Sequence, residues 1–226
     1  MDPVYIIKLV SPFITGIIAL IAGIIELRLN PKNWLNRWFF SFFLSASLGH
    51  LVYGIYHLII INQILTSIAA IMSHIFINFI PTSLLMTVFV LEKFTKRAMS
   101  LKYLGTTLLI FILMSFGYFI WFPTPDPTLF TQGIINTTTP PPWFLFVNIL
   151  RVALFGYILF EYAMITKKTE DETKQRIRLF FIGIFISVIG LISNTVGGIF
   201  DLIFFEILAL ILINVGAIII VKGFFL

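Results

Sequence analysis

Seven mostly apolar stretches alternate with short polar segments along all 226 residues. They run approximately 4–27, 38–61, 67–91, 103–122, 143–165, 179–195 and 202–221. A helix needs about 20 apolar residues to cross a hydrocarbon layer of about 30 Å, so each stretch predicts one membrane span. Helices are expected because lipid offers the backbone no water, and a helix pairs its N–H and C=O groups within the segment. The expected fold class is therefore all-α: a single seven-transmembrane helix bundle over residues 1–226.

The polar gaps carry an orientation signal. Of the 15 Lys and Arg residues, all but Lys8 and Arg151 lie in alternate gaps or in the tail. Arg28, Lys32 and Arg37 fill the first gap and Lys93, Lys96, Arg97 and Lys102 the third. Lys167, Lys168, Lys174, Arg176 and Arg178 fill the fifth, and Lys222 follows span seven. The second, fourth and sixth gaps hold no base, including the Pro/Thr-rich segment Pro123 to Pro142. Short cytoplasmic loops concentrate Lys and Arg, so the N-terminus is expected outside and the C-terminus in the cytoplasm. Asn136-Thr137-Thr138 matches a glycosylation acceptor in an expected outside loop and agrees with that orientation, although so short a motif recurs by chance.

Composition narrows the class. With 59% hydrophobic residues, 11% charged ones and 26 Phe, at a mean hydropathy of +1.06, the chain has too little polar surface for a water-soluble domain. The net charge of +5 belongs to membrane-flanking segments and implies no nucleic-acid partner. The absence of cysteine excludes disulfides, thiolate metal sites and a cysteine nucleophile. No cleavable signal peptide is expected, because the first apolar run is long and opens on Met1-Asp2-Pro3 without bases.

Small residues recur at helical spacing: Gly16 and Gly23 on span one, Ser41, Ser45 and Gly49 on span two, and Gly183, Gly190 and Gly197 on span six. In lipid, close backbone approach replaces hydrophobic exclusion as the main helix–helix attraction, so these rows are expected at contacts within the bundle or in a homodimer. Pro12 and Pro81 each remove a backbone donor and are expected to kink spans one and three.

Ionisable side chains at bilayer depth are costly and stay where they face the bundle interior. At about 1.5 Å per residue from the expected outer boundary, Arg151 lies roughly 12 Å deep and His74 roughly 10 Å. His57, Glu206 and Lys8 lie at roughly 7 Å on the same rise. Five spans thus send ionisable groups into one layer. His50 and His57 share a face of span two with Tyr53 between them, His74 and Asn78 are i, i+4 on span three, and Asn148 and Arg151 are i, i+3 on span five. If these faces turn inward, they form a pocket open to the outside, with Arg151 and Glu206 as the expected ion pair. The ligand-contacting set is then Arg151, Glu206, His57, His74, Asn78, Asn148 and Tyr53. The bland alternative is that these groups cross-link helices, with Lys8 and Glu206 snorkelling to the interface.

Several sharper functions lack their residues. A retinal receptor needs a mid-span lysine in helix seven, where Asn214 stands. No H-x-x-x-H or H-E-x-x-H places two histidines for zinc, and no Gly-rich phosphate loop or Ser/His/Asp arrangement stands out. Neither a repeated filter nor an acidic ring suggests a channel, and the halves show no inverted repeat. No enzyme activity, cofactor or metal is expected.

Four stretches resemble the N-terminal seven-transmembrane sensor region that precedes many bacterial and archaeal histidine kinases. They are Arg28 to Tyr53, with Phe39-Phe40 and Leu48-x-x-Leu51-x-Tyr53; Pro81-x-x-Leu84-Leu85 through Phe89-Val90-Leu91-Glu92; Pro142-Trp143-Phe144; and Gln175-Arg176-x-Arg178-Leu179 through Gly183 to Asn194. The resemblance implies a membrane sensor that passes a shift to a cytoplasmic output. Only Lys222 to Leu226 follow span seven, without a coiled linker, phospho-accepting helix or ATP-binding domain, so the output is expected from a separate partner.

The expectation is a receptor-like multi-pass protein of the cell membrane. It would bind a small ligand or lipid in the outer half of the bundle and meet a cytoplasmic signalling partner at Lys93–Lys102 and Lys167–Arg178. Two alternatives stay open: a small transporter relaying protons through His50, His57 and His74, and an accessory membrane subunit.

Overall fold

A computed structural model describes residues 3–59, 62–167, 171–200 and 202–225. The expected end of span two (Ile60 and Ile61) and part of the fifth polar segment (Lys168 to Glu170) lie outside the described residues. The chain is an all-α bundle: α1 (Pro3–Leu29), α2 (Trp34–Tyr56), α3 (Gln63–Ala98) and α4 (Leu101–Ser115), then a 3₁₀ turn (Phe116–Phe119). Next come β1 (Thr124–Pro125), α5 (Pro127–Thr131), β2 (Thr137–Thr138), α6 (Pro141–Thr166), α7 (Asp171–Phe200) and α8 (Ile203–Phe225). All but α5 supply helices long and apolar enough to cross a bilayer, which makes the chain a multi-pass membrane protein.

Burial is arranged for lipid rather than water. On α1, Ile6, Val10, Ile14, Ile17, Ile21 and Ile24 form an exposed apolar stripe, while Ser11, Thr15 and Glu26 are buried. Hydroxyls and amides that would be unpaired in lipid thus find partners between helices. Asn214 of α8 accepts from Thr15 Oγ1 at 2.5 Å and donates to Ser11 Oγ, clipping α8 to α1. At the other end of α1, Asn36 Nδ2 donates to Glu26 Oε1 at 2.8 Å, fixing the turn into α2.

Six helices close a ring. In order around it, α1 touches α2, α2 touches α3, α3 touches α6, α6 touches α7, α7 touches α8, and α8 returns to α1. Helix α4 stands outside, packed on α3. The glycine rows make the closest of these contacts. A Cβ on Gly183 would come within 2.7 Å of the Gly216 carbonyl, and one on Gly190 within 3.1 Å of the Ala209 carbonyl. On α1, a Cβ on Gly16 would reach 3.2 Å from the Ser47 carbonyl of α2. Gly49 meets α3, where Ser73 Oγ donates to its carbonyl at 2.9 Å.

Several boundaries differ from the apolar pattern: α2 opens at Trp34, and α3 (Gln63–Ala98) and α7 (Asp171–Phe200) extend beyond their apolar runs at both ends. Helix α2 ends at Tyr56, not Ile61: Leu58 N bonds Ile55 O at 2.9 Å and closes a turn, and Asn62 caps α3 by accepting from Ile64 N and Leu65 N. Apolarity continues across this turn, so composition alone does not mark it. Helix α4 stops at Ser115 before the 3₁₀ turn, short of Phe122. The Pro/Thr-rich segment is partly ordered, with β1 and β2 paired antiparallel (Thr124 with Thr138) and α5 capped by Asp126.

The backbone also departs from helix elsewhere than at the prolines. Non-helical dihedrals inside α3 occur at Phe94 (φ 57°, ψ 153°), not at Pro81. The hydroxyls of Thr82 and Ser83, beside Pro81, donate to the Phe79 and Ile80 carbonyls at 3.0 and 2.9 Å. At Phe94 the helix breaks just as the basic segment begins.

The end of the bundle that carries Arg37, Lys174 and Lys222 is closed by aromatic rings. Phe39, Phe42 and Phe43 of α2, Tyr162 of α6, Phe180 of α7 and Phe224 of α8 meet largely edge-on. Their centroids lie 5.3 Å apart for Phe39–Phe224, 5.2 Å for Phe43–Phe224 and 5.2 Å for Tyr162–Phe180. Such a cluster from four ring helices fixes their relative positions there.

Candidate functional site

The ring encloses a cavity of about 270 Å³. Its lining comes from all six ring helices and from the β2 segment, and no residue of α4 contributes. On α2 the lining extends from His57 to Phe42, and on α8 from Glu206 to Val221. At about 1.5 Å per residue, the cavity is roughly 20 Å long, parallel to the helices. Its chemistry changes along that length. Toward the β1–β2 end stand Lys8, Tyr53, Tyr56, His57, Thr137, Arg151 and Glu206; toward the aromatic cluster stand Ala19, Phe42, Phe43, Ile184, Ala217 and Ile220.

Five of the seven residues expected to contact a ligand line this space: Arg151, Glu206, His57, His74 and Tyr53. Asn78 and Asn148 do not; they hold Arg151 in place. Arg151 Nε and Nη2 both donate to Asn78 Oδ1, at 2.9 and 2.6 Å, and Nη1 donates to Asn148 Oδ1 at 3.0 Å. Asn78 is fixed in turn by donating from Nδ2 to the Met114 carbonyl at 2.7 Å and to Ser115 Oγ at 3.2 Å. The outlying helix α4 therefore braces the central cation through α3.

The expected Arg151–Glu206 ion pair does not form. Glu206 Oε2 pairs instead with Lys8 Nζ at 2.5 Å, joining α8 to α1. The ring order gives the reason: α8 neighbours α1 and α7, whereas Arg151 on α6 faces α3. Gly197 makes room for the acid, since a Cβ there would come 3.0 Å from Glu206 Cγ.

Arg151 is 5% exposed, and among the described residues no carboxylate pairs with it. Its hydrogen-bond partners are neutral, the amides of Asn78 and Asn148. The amides leave one N–H on each of Nη1 and Nη2. Beside the guanidinium, His74 stacks on Tyr118 with centroids 4.5 Å apart and planes 4° apart. His74 Nδ1 is buried without a hydrogen-bond partner. At the β1–β2 end, His57 donates from Nδ1 to the Tyr53 carbonyl at 2.8 Å and completes a triangle of rings with Tyr53 and Tyr56, each 4.4 Å from it and 5.1 Å from one another. Tyr56 OH reaches Thr137 Oγ1 at 3.4 Å, so the β2 segment closes over that end.

No family model, curated protein or solved structure matches this chain. The reading of the site therefore rests on its own geometry.

Several site residues went unanticipated. Tyr56 at the end of α2 lines the cavity, and so do Asn136, Thr137 and Thr139 of the β2 segment, loop residues for which a hydropathy pattern gives no depth signal. Asn194 of α7 and Phe144 of the Pro-Trp-Phe start of α6 also line it. Asn194 was legible as a polar residue inside an apolar run. His50, read as a packed core residue or a proton relay, lines the cavity one turn beyond Tyr53. Among the described residues no three His, Asp or Glu side chains converge.

Proposed function

We propose that this protein is a receptor-like membrane protein that holds a small ligand inside its six-helix ring. The observation that carries the reading is Arg151, a buried cation on the cavity wall held by two amides and paired with no carboxylate among the described residues. A buried charge without a counter-charge is destabilising, so its retention at the cavity wall is best explained by a ligand that supplies one. In this reading the β1–β2 end faces outward, which fits the base-free segments there, and the basic ends of α3 and α7 face the cytoplasm.

The floor of the cavity supports sensing over transport. Phe42 and Phe43 both line the cavity and belong to the aromatic cluster that ends on Phe224. A ligand reaching the floor would press on rings that position the ends of α2, α7 and α8, and the lining toward that floor is mostly apolar, with the Ser187 hydroxyl donating to the Gly183 carbonyl. The output surface we assign is Lys93–Lys102 with the described part of Lys167–Arg178. There Phe94 and Leu101, 82% and 87% exposed, stand among Lys93, Lys96, Arg97 and Lys102, a surface suited to a cytoplasmic partner at the membrane interface.

The test is a structure of the protein extracted in native lipid discs. Non-protein density against Arg151 is expected; an empty cavity, together with pH-dependent flux in proteoliposomes abolished by His74→Ala, would replace the receptor reading with transport.

A further inference from the structure

We infer that the cavity takes a single-chain monocarboxylate, such as a medium-chain fatty acid, with its carboxylate on Arg151 and its chain lying toward Phe42 and Phe43. This rests on the ligand-binding reading above and assigns the chemical class of its ligand. Three features of the cavity lead there.

The first is charge. Lys8 and Glu206 neutralise each other at 2.5 Å, which leaves Arg151 as the unbalanced charge among these three groups. One negative charge completes the balance. A carboxylate carries that charge, whereas a phosphate monoester brings about −1.5 to −2 and would leave an excess anion in a low-dielectric space.

The second is the donor pattern. The two N–H groups that the amides leave on Arg151 sit one on each terminal nitrogen. Two donors on adjacent nitrogens suit a head with two oxygens, the pairing that guanidinium and carboxylate share. His74 stands one turn from Asn78 on α3, and its Nδ1 is buried and unpartnered. It can donate to the same head as the Nδ1–H tautomer. Asn78 and Asn148 orient the guanidinium from behind, so binding needs no rearrangement of the arginine.

The third is shape. Below the level of Arg151 the α8 lining runs from Ile213 to Val221, about 8 residues, which at about 1.5 Å per residue is roughly 12 Å. That stretch is walled by Phe155, Ile184, Ala217 and Ile220 with Ala19 and Phe43 opposite, and the Ser187 hydroxyl beside them donates to the Gly183 carbonyl at 3.0 Å. It accepts an extended chain of medium length, while the space on the other side of Arg151 is polar and would repel one. The direction of the chain follows from this asymmetry.

The experiment uses the full chain in lipid nanodiscs and measures equilibrium binding of radiolabelled decanoate, with competition by decanol, decyl phosphate and decyltrimethylammonium. Decanoate is expected to bind saturably and at least about tenfold more tightly than decanol, the margin of a charge-assisted hydrogen bond. Arg151→Gln, whose amide can still meet Asn78, is expected to remove that margin. Ala217→Phe leaves Arg151 untouched and fills the apolar end, so it is expected to shift the preference from decanoate to hexanoate. Equal binding of decanol, tighter binding of decyl phosphate or of the cation, or decanoate binding unchanged in both variants would each overturn the inference. If decanoate fails while protein from native lipid still carries density on Arg151, the ligand class falls and the receptor reading stands. If the cavity is empty as well, both fall.

Discussion

Lys8 Nζ and Glu206 Oε2 stand 2.5 Å apart, joining the first and last helices of the ring. Both side chains are largely shielded, at 11% and 22% relative exposure, so removing one partner strands a charge in a poorly solvated place. Glu206→Gln or Lys8→Met alone should destabilise the bundle by about 1–3 kcal/mol, below the range for fully buried pairs because both groups keep some solvent. The double variant should recover part of that loss. Thermal unfolding in nanodiscs measures the cycle, and strictly additive losses would mean that the two residues are not coupled.

Asn78 offers a sharper probe of the central cation. Asn78→Leu removes the acceptor of two Arg151 bonds and should cost about 2–4 kcal/mol, since the guanidinium stays buried. Asn78→Asp supplies an internal counter-ion instead. It should raise the melting temperature of the empty protein above that of Asn78→Leu and lower affinity for any anion in the cavity. If the Asn78→Asp variant bound decanoate as well as the parent chain does, the ligand could not be compensating Arg151.

How much of this was readable in advance depends on what a hydropathy pattern encodes. Length and apolarity identify seven helices because crossing a bilayer demands both, and helical spacing correctly placed Asn148 beside Arg151 and His50 with His57 on one face. Position along each helix axis was legible too, since it is a residue count. Azimuth was not. Lipid and the packed interior are both apolar, so a helix such as α8 gives little sign of which face turns inward. That is why Glu206 was matched with Arg151 by depth when the ring order gives it to Lys8. The same ambiguity hid Glu26 and Tyr162, which lie near span ends in sequence yet are buried on Asn36 and, through a 2.7 Å hydroxyl contact, on Thr87.

The glycines of the ring should differ in their tolerance of alanine. A Cβ on Gly216 would overlap Ser187 Oγ and approach the Gly183 carbonyl to 2.6 Å. Gly216→Ala must therefore push α8 from α7, at about 1–3 kcal/mol for an overpacked contact. Gly105 on α4 meets nothing within 4 Å, and Gly105→Ala should gain about 0.5–1 kcal/mol from helix propensity. Melting temperatures of the two variants should move in opposite directions; a shared direction would contradict the packing described here.

Asp126 caps α5 by accepting from the backbone of Thr128 and Leu129, at 2.8 and 3.2 Å, and from the Thr128 hydroxyl. The Thr128 hydroxyl and then these backbone donors hold its carboxyl below the ordinary value of 3.8. A depressed folded value means the cap contributes fully above the unfolded value and is lost as pH falls through the folded one. Order in residues 124–138 should therefore be insensitive to pH from about 5 to 8. Asp126→Ala should speed hydrogen exchange there at neutral pH without changing exchange in α7 or α8. Equal exchange in both proteins would show that the Asp126 cap does not order this segment.

Orientation is open to a direct chemical test, because the chain has no native cysteine. Gln132 lies in the base-free segment between α5 and β2, and Lys96 lies beyond the break at Phe94 in the basic segment. The charge asymmetry puts these positions on opposite sides, with Gln132 outside. In intact cells a membrane-impermeant maleimide should label Gln132→Cys, and it should reach Lys96→Cys only after the membrane is opened. The reverse labelling would turn the bundle over and place the mouth near Thr137 in the cytoplasm. The ligand would then come from metabolism inside the cell, and the exposed Phe94 and Leu101 would face the exterior. The internal chemistry of Arg151 would be unaltered, so the labelling result decides the source of the ligand independently of its class.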